Sequence, residues 1–268
     1  MLNNKSPCKS QDLPPKTYNA ALALLNGRDS TLVPRACEVI DFGASRLRIA
    51  THNAIRAYGK SGALLNAALT YAAFGLPVFP LDVASKKPIP RRERDPSGQF
   101  KDGIPGTGGF KKATTDPLQI IAWWRDNPKA LIGLPMGERS GVWCLDIDTS
   151  EDHADGVAGW NEIAAQHDPI VTREHRSATG GPHLIFNWHA ELPLGCSAGA
   201  LPDGISVKGQ GGYIVAPPSR RKGRVYRVHN DIDPIDPPAW LTDLILQGRS
   251  PSSSKGSSPW DATSFPPV

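Results

Sequence analysis

The 26 glycines and 26 prolines spread along 268 residues constrain this chain more than any other feature. Inside a helix, glycine costs roughly 1 kcal/mol and proline about 3 kcal/mol relative to alanine. A helix bundle or coiled coil is therefore excluded for most of the chain, and short elements joined by many turns are expected. The length suits one or two domains with a core that needs no disulfide staples. Apolar residues at 39% and charged residues at 21% fit a globular domain with disordered ends. No run of 18 apolar residues occurs, so no membrane span is expected. The N-terminus shows no basic start, apolar block and small-residue cleavage site, so no secretion signal is expected. Cys8, Cys37, Cys144 and Cys196 are too scattered for a zinc ribbon or a redox pair, which predicts free thiols and a cytoplasmic location.

Charge is patterned more than it is biased. The net value is +4, but residues 85–112 carry eight Lys/Arg against three acids, and residues 208–227 carry six Lys/Arg and no acid. Between them, residues 138–155 carry six acids and one arginine. An acidic cluster flanked by basic segments suits a metal site that handles polyanions.

Residues 1–60 read as a poorly defined extension, with short helices possible at 18–27 and 46–60. The organised region runs from 61 to 247. Ser61 is placed to cap a helix over 62–74 that Gly75 ends. Leu76–Leu81 reads as a buried strand, followed by a long basic loop to about 110. Asp116 or Thr115 with Pro117 opens a helix through Ile120 and Trp124. Leu131–Pro135 and Gly141–Asp148 read as strands paired about the turn 136–140. A helix over 157–167 follows, then strands at His183–Trp188, Gly204–Lys208, Gly212–Ala216 and Arg224–Val228, with a last helix over 237–246. Residues 248–268 read as a flexible Ser/Pro-rich tail. Helices early and antiparallel strands late predict an α+β fold.

Four segments can carry chemistry. In Leu145-Asp146-Ile147-Asp148 the two carboxylates lie at i and i+2 of a strand and share a face. Adjacent carboxylates repel, and a hard divalent cation between them relieves the repulsion; a pair of solvated acids at a strand end is the other reading. Thr179-Gly180-Gly181-Pro182-His183 offers backbone amides and a histidine to a phosphate, or is a plain hairpin turn. Gly204 to Ser219 reads as a hairpin with a glycine turn, carrying Lys208 as a phosphate partner or as an exposed lysine. Lys86-Lys87, with Lys111-Lys112 further on, lacks Walker A spacing and suits contact with a nucleic-acid backbone or a solvated basic loop.

The order of these segments is more specific than any of them. Gly-Leu-Pro-Val-Phe-Pro-Leu at 75–81, Lys86-Lys87-Pro88, Ala113-Thr-Thr-Asp116 with Trp123-Trp124, the Asp146/Asp148 strand, Gly180-Gly181-x-His183 and Gly211-Gly212-Tyr-Ile-Val-Ala-Pro-Pro-Ser219 follow one another. Across residues 62–245 the series resembles the N-terminal domain of bifunctional DNA primase/polymerases, the prim-pol branch of the archaeo-eukaryotic primase superfamily. The resemblance implies an α+β primase-like fold with an RRM-like catalytic half. It implies Mg²⁺ or Mn²⁺ on Asp146 and Asp148, and nucleotide contacts from His183 and from Thr179, which stands where the family has serine. Lys208 matches the family lysine, but the third metal-binding aspartate is replaced by Ser206. Asp203 lies three residues from that position and has the wrong strand parity.

The implied function is metal-dependent, template-directed addition of NTPs or dNTPs in replication of a replicon or mobile element. His183, Lys208 and the Gly180 and Gly181 amides would hold phosphates, while Lys86, Lys87, Lys111, Lys112, Arg220 and Arg221 would contact DNA template or primer. A helicase would come from a separate protein. Ser206 motivates an alternative, a catalytically weakened or inactive module that binds nucleic acid or nucleotides. A glycosyltransferase with an Asp-x-Asp motif is a third reading and requires repeated βαβ units before the acid pair.

Overall fold

A computed structural model describes residues 45–91, 97, 108–152, 154–192, 194–196 and 201–247. The expected helix at 18–27, the tail, two of the cysteines and most of the basic loop between 92 and 107 lie outside the described residues. Helix α1 (Arg46–Ser61) buries Leu47, Ala50, Thr51 and Ala54, an i, i+3, i+4, i+7 stripe. Its buried face joins α2 (Leu64–Ala73) in one core, so the expected boundary at 61 falls between two helices that share apolar contacts. Ser61 belongs to α1, not to the next helix as a cap. Gly62 at φ 70° closes α1 by donating to the Tyr58 carbonyl at 2.7 Å, and the residue preceding α2 is Ala63. Helix α3 (Pro117–Asp126) starts as its sequence predicts: the Asp116 carboxylate accepts from the Leu118 amide and proline takes the first turn.

Two antiparallel sheets carry the rest. The small sheet has order β1-β2-β7, from β1 (Phe79–Leu81), β2 (Leu131–Pro135) and, late in the chain, β7 (Tyr213–Val215). The large sheet has order β10-β4-β5-β3-β6, from β3 (Val142–Ile147), β4 (Arg173–Arg176), β5 (Pro182–Asn187), β6 (Ile205–Lys208) and β10 (Arg227–Val228). Between β3 and β4 lies α4 (Gly156–Ala164), and α5 (Ala239–Gln247) closes the described chain. A separate hairpin joins β8 (Arg220–Arg221) to β9 (Arg224–Val225).

The expected hairpins exchange partners. β2 and β3 do not pair across the turn 136–140, nor do β6 and β7 across the glycines. Instead β2 pairs with β7 and β3 pairs with β6. Each chain segment steps from one sheet to the other at the same place. The Glu138 amide donates to the Gln210 side-chain carbonyl at 3.0 Å, and the Met136 amide donates to the Gly212 carbonyl at 2.9 Å. Two bent ribbons thus run side by side through the corner, and of the expected β2–β3 hairpin only a single bridge is formed, between Gly137 and Val142.

Burial follows the strand alternation. Trp143, Leu145 and Ile147 face Leu184, Phe186, Val207 and helix α5 through Leu241 and Ile245. Trp143 and Phe186 stack with centroids 4.7 Å apart. On the opposite face, Cys144 and Ile185 join the core built by α1, α2 and α3. That face then turns polar along β3, and there the site begins. Cys144 and Cys196 carry free thiols.

Candidate functional site

Register builds the site. Asp146 in β3 is the cross-strand partner of His183 in β5 on one side and of Ser206 in β6 on the other. His183 is in turn partnered by His175 in β4. Directly opposed residues of an antiparallel sheet share a face. His175, His183, Asp146 and Ser206 therefore form one row across four strands. Asp148 continues the same face by alternation, its amide donating to the Gly204 carbonyl at 2.7 Å.

The His183 ring places Nε2 3.1 Å from Asp146 Oδ1, and Lys208 Nζ lies 3.4 Å from Asp146 Oδ2. Burial pushes the Asp146 carboxyl up. The charge and hydrogen bond of His183, followed by Lys208 and Lys86, outweigh burial and hold it far below the ordinary carboxylate range. A cavity of about 370 Å³ opens here at the junction of the two sheets. Asp146, Asp148, Asp152, Lys86, Lys208 and Arg221 supply its charged lining, and Thr179, His183, Tyr213 and Tyr226 are among the polar residues of its wall. Lys86 reaches the cavity from a turn in which the Asp82 carboxylate accepts from the Ser85 amide and hydroxyl. Its own backbone is left-handed at φ 59°, unusual for a lysine and a mark of a position over-determined by its surroundings. Arg221 ties β8 to this turn by donating to the Val83 and Ala84 carbonyls at 3.0 and 2.8 Å.

The ordered motifs, the antiparallel sheets and the carboxylate row at their junction agree with one comparison. The Prim-Pol family model (bifunctional DNA primase/polymerase, N-terminal) matches residues 68–240, well over half of the chain. The chain belongs to the Prim-Pol family. No individual curated protein matches it. This Prim-Pol protein is thus placed among primase/polymerase-type nucleotidyltransferases, whose substrate classes are nucleic acid and nucleotides. Among the described residues the two strands that precede the acid-pair strand, β1 and β2, are antiparallel neighbours, not the repeated βαβ units that a glycosyltransferase reading needs there.

The Prim-Pol cavity gathers Asp146, Asp148, Thr179, His183, Lys208, Lys86 and Arg221 from the residues the sequence singled out. Others stand elsewhere. The Gly180 and Gly181 amides, expected on phosphate, donate within their own turn to the Ser177 carbonyl at 3.1 Å and the Ser177 hydroxyl at 3.0 Å. Gly181 serves another end: a Cβ there would lie 2.4 Å from the Ile147 carbonyl oxygen, so only glycine lets β5 approach β3 beside Asp148. Lys87 is exposed next to Lys86, and Lys111 and Lys112 sit in the short helical turn 109–112 outside the cavity. Arg220 points away from Arg221 into a separate groove with Lys129 and Lys222. Asp203 is exposed and does not line the cavity.

Three residues in or near this region escaped the sequence. Asp152 lines the cavity although strand parity from Asp146 stops at Asp148. Arg173 and His175 are 0% and 1% exposed, on a strand whose Arg-Glu-His-Arg sequence reads as surface. Arg173 Nε donates to His175 Nε2 at 3.1 Å and Nη1 to the Ile232 carbonyl at 3.1 Å, with Asp231 3.7 Å away. Burial, then the charges of Arg173 and His183, push the His175 ring well below the usual histidine range. Since Arg173 donates to Nε2, the His175 proton resides on Nδ1. A period-2 repeat of basic residues was the available signal, and it also fits an exposed edge. Among the described residues no helix is long and apolar enough to cross a membrane.

Proposed function

We propose that the chain is a DNA-directed nucleotidyltransferase that adds NTPs or dNTPs to a primer on a DNA template. One observation carries the reading: the row His183–Asp146–Ser206 with Lys208 and Asp148 at the edge of a polar cavity of nucleotide-accommodating size. The order β4-β5-β3-β6 with α4 between β3 and β4 supports an RRM-like catalytic half within a primase-like fold.

Carboxylate oxygens are the donors that Mg²⁺ and Mn²⁺ prefer, and hydroxyls and a triphosphate complete such a shell. Asp146 and Asp148 fit that chemistry. Among the described residues no three acidic, histidine or cysteine side chains already stand as a closed ligand group, and Asp146 itself contacts His183 and Lys208. When bound there, a cation would neutralise charge on the triphosphate and ease loss of the proton from the attacking 3′-hydroxyl. The protein does the rest by placement. His183 orients the Asp146 carboxylate. Lys208, Lys86 and Arg221 hold phosphates against the carboxylate face, and their fixed charges favour the negative charge that grows on the leaving pyrophosphate. Lys87, Lys111, Lys112 and Arg220 lie outside the cavity and suit a nucleic-acid backbone. Replication of a replicon or mobile element is the setting this chemistry fits.

Ser206 favours a second reading, a module that binds nucleotide and DNA without polymerising, since a neutral hydroxyl stands beside Asp146. Primer extension in Mn²⁺ separates the two. The native protein is expected to extend a primed template and Asp146→Ala to fail. If neither the native protein nor Ser206→Asp extends or starts a strand, the binding-module reading replaces catalysis.

A further inference from the structure

We propose that Asp152 supplies the third carboxylate of the site, in place of the one that position 206 lacks. The inference rests on the metal-dependent reading above and asks which of this chain's residues completes it.

Ser206 sits directly across from Asp146 on the face of β6 that carries Lys208 to the cavity, but it is neutral and does not itself line the cavity. Asp152 comes to the same cavity from the turn after β3, where its amide donates to the Thr149 carbonyl at 2.9 Å. Its orientation is set by a directional chain. The Gly181 amide donates to Ser177 Oγ at 3.0 Å, Ser177 Oγ lies 2.9 Å from Thr179 Oγ1, and Thr179 Oγ1 lies 2.6 Å from Asp152 Oδ2. A carboxylate only accepts, so the Thr179 proton is committed to Asp152 and the Ser177 hydroxyl must donate to Thr179. The Thr149 hydroxyl adds a weaker bond to the same oxygen at 3.4 Å. Among the described residues Oδ2 takes both hydroxyls and Oδ1 takes none, which leaves one carboxylate oxygen for a further partner.

Electrostatics agree with this placement. The Tyr226 phenol in the cavity wall is pushed up to about 12, first by burial, with Arg221 opposing and Asp146, Asp152 and Asp148 all adding to the rise. With Asp152 counted, three carboxylates line the cavity, and a bound cation would draw them together from positions in which they do not yet stand as one ligand group. Thr179 acquires a definite role in the same arrangement, because its hydroxyl holds Asp152 over the cavity.

The test is Mn²⁺ binding followed by the loss of the free-ion electron paramagnetic resonance signal, without substrate or turnover. Native protein, Asp146→Asn, Asp152→Asn, Ser206→Ala and the double variant Asp152→Asn/Ser206→Asp are compared after melting curves confirm folding. Asp146→Asn is expected to lose binding, Asp152→Asn to weaken it at least about tenfold, and Ser206→Ala to leave it within about twofold. The double variant should recover most of the loss, since a carboxylate returns beside Asp146. Native-like binding by Asp152→Asn while Asp146→Asn fails would overturn the role of Asp152 and leave the two-aspartate reading standing. Native-like binding by Asp146→Asn would remove that reading itself. A loss in Asp152→Asn that Ser206→Asp does not repair would also overturn the substitution proposed here.

Discussion

Gly180 and Gly181 are neighbours in sequence and should respond to substitution for different reasons. At Gly181 a Cβ would stand 2.4 Å from the Ile147 carbonyl oxygen. Real Cβ contacts stay beyond 3.0 Å, so β5 and the end of β3 must part by at least about 0.6 Å. Both sides are backbone and cannot rotate away. Overpacking of this kind costs about 1–3 kcal/mol, and Gly181→Ala belongs near the upper end. Gly180 has nothing within 4 Å of its added Cβ, but its φ is +96°. Gly180→Ala should therefore cost about 1–2 kcal/mol of backbone strain. Gly180→Asn should recover part of it, because asparagine visits positive φ more readily, while Gly181→Asn should recover none. Urea denaturation read by tryptophan fluorescence gives these differences at unchanged slope. His183 lies two residues beyond Gly181, so opening the strands also stretches its 3.1 Å contact with Asp146. Primer extension by Gly181→Ala should fall roughly 100-fold even where the variant is folded. A Gly181→Ala protein within about 0.5 kcal/mol of native would refute the packing argument.

Three further outcomes follow from the charges. Lys208→Met removes a partly exposed ion pair, so stability should move by no more than about 1 kcal/mol, while KM for nucleotide should rise about tenfold or more; an unchanged KM would remove Lys208 from the phosphates. His175 is buried with its titration point depressed, so the unfolded chain binds its proton first as pH falls below about 6.5. Native stability should then drop by up to about 1.4 kcal/mol per pH unit on that account, and His175→Gln should show a shallower fall; superimposable profiles would contradict a neutral buried ring. Lys87→Ala and Arg220→Ala should each lower the salt dependence of DNA affinity by about one unit of slope, with nucleotide KM unmoved, and a slope equal to native would take them off the DNA.

The sequence was more informative about which residues share the cavity than about how the strands pair. Asp146, Asp148, His183 and Lys208 line one cavity because strand alternation is local and reliable, and Thr179 joins them from the turn before β5. The partners of β2, β3, β6 and β7 were not legible, because short strands next to each other in sequence usually form hairpins. Here the stacked corners at Gly137 and Gln210 carry both ribbons across to the second sheet instead. Arg173 and His175 were hidden by their polarity. A buried arginine is tolerable only with its partners, and these come from residues 231 and 232, far along the chain. Asp152 was hidden because its approach depends on a hydroxyl chain from another loop. Ser61 was assigned to the wrong helix because a serine before an apolar run is also what a glycine-terminated helix leaves behind.

The account depends on a cation-dependent grip on the triphosphate, and equilibrium binding of a non-hydrolysable dNTP tests that grip most directly. Isothermal titration should show binding by the native protein in Mn²⁺, little binding in EDTA, and loss of the Mn²⁺-dependent part in Asp146→Asn. Equal affinity with and without the metal, or in Asp146→Asn, would contradict it.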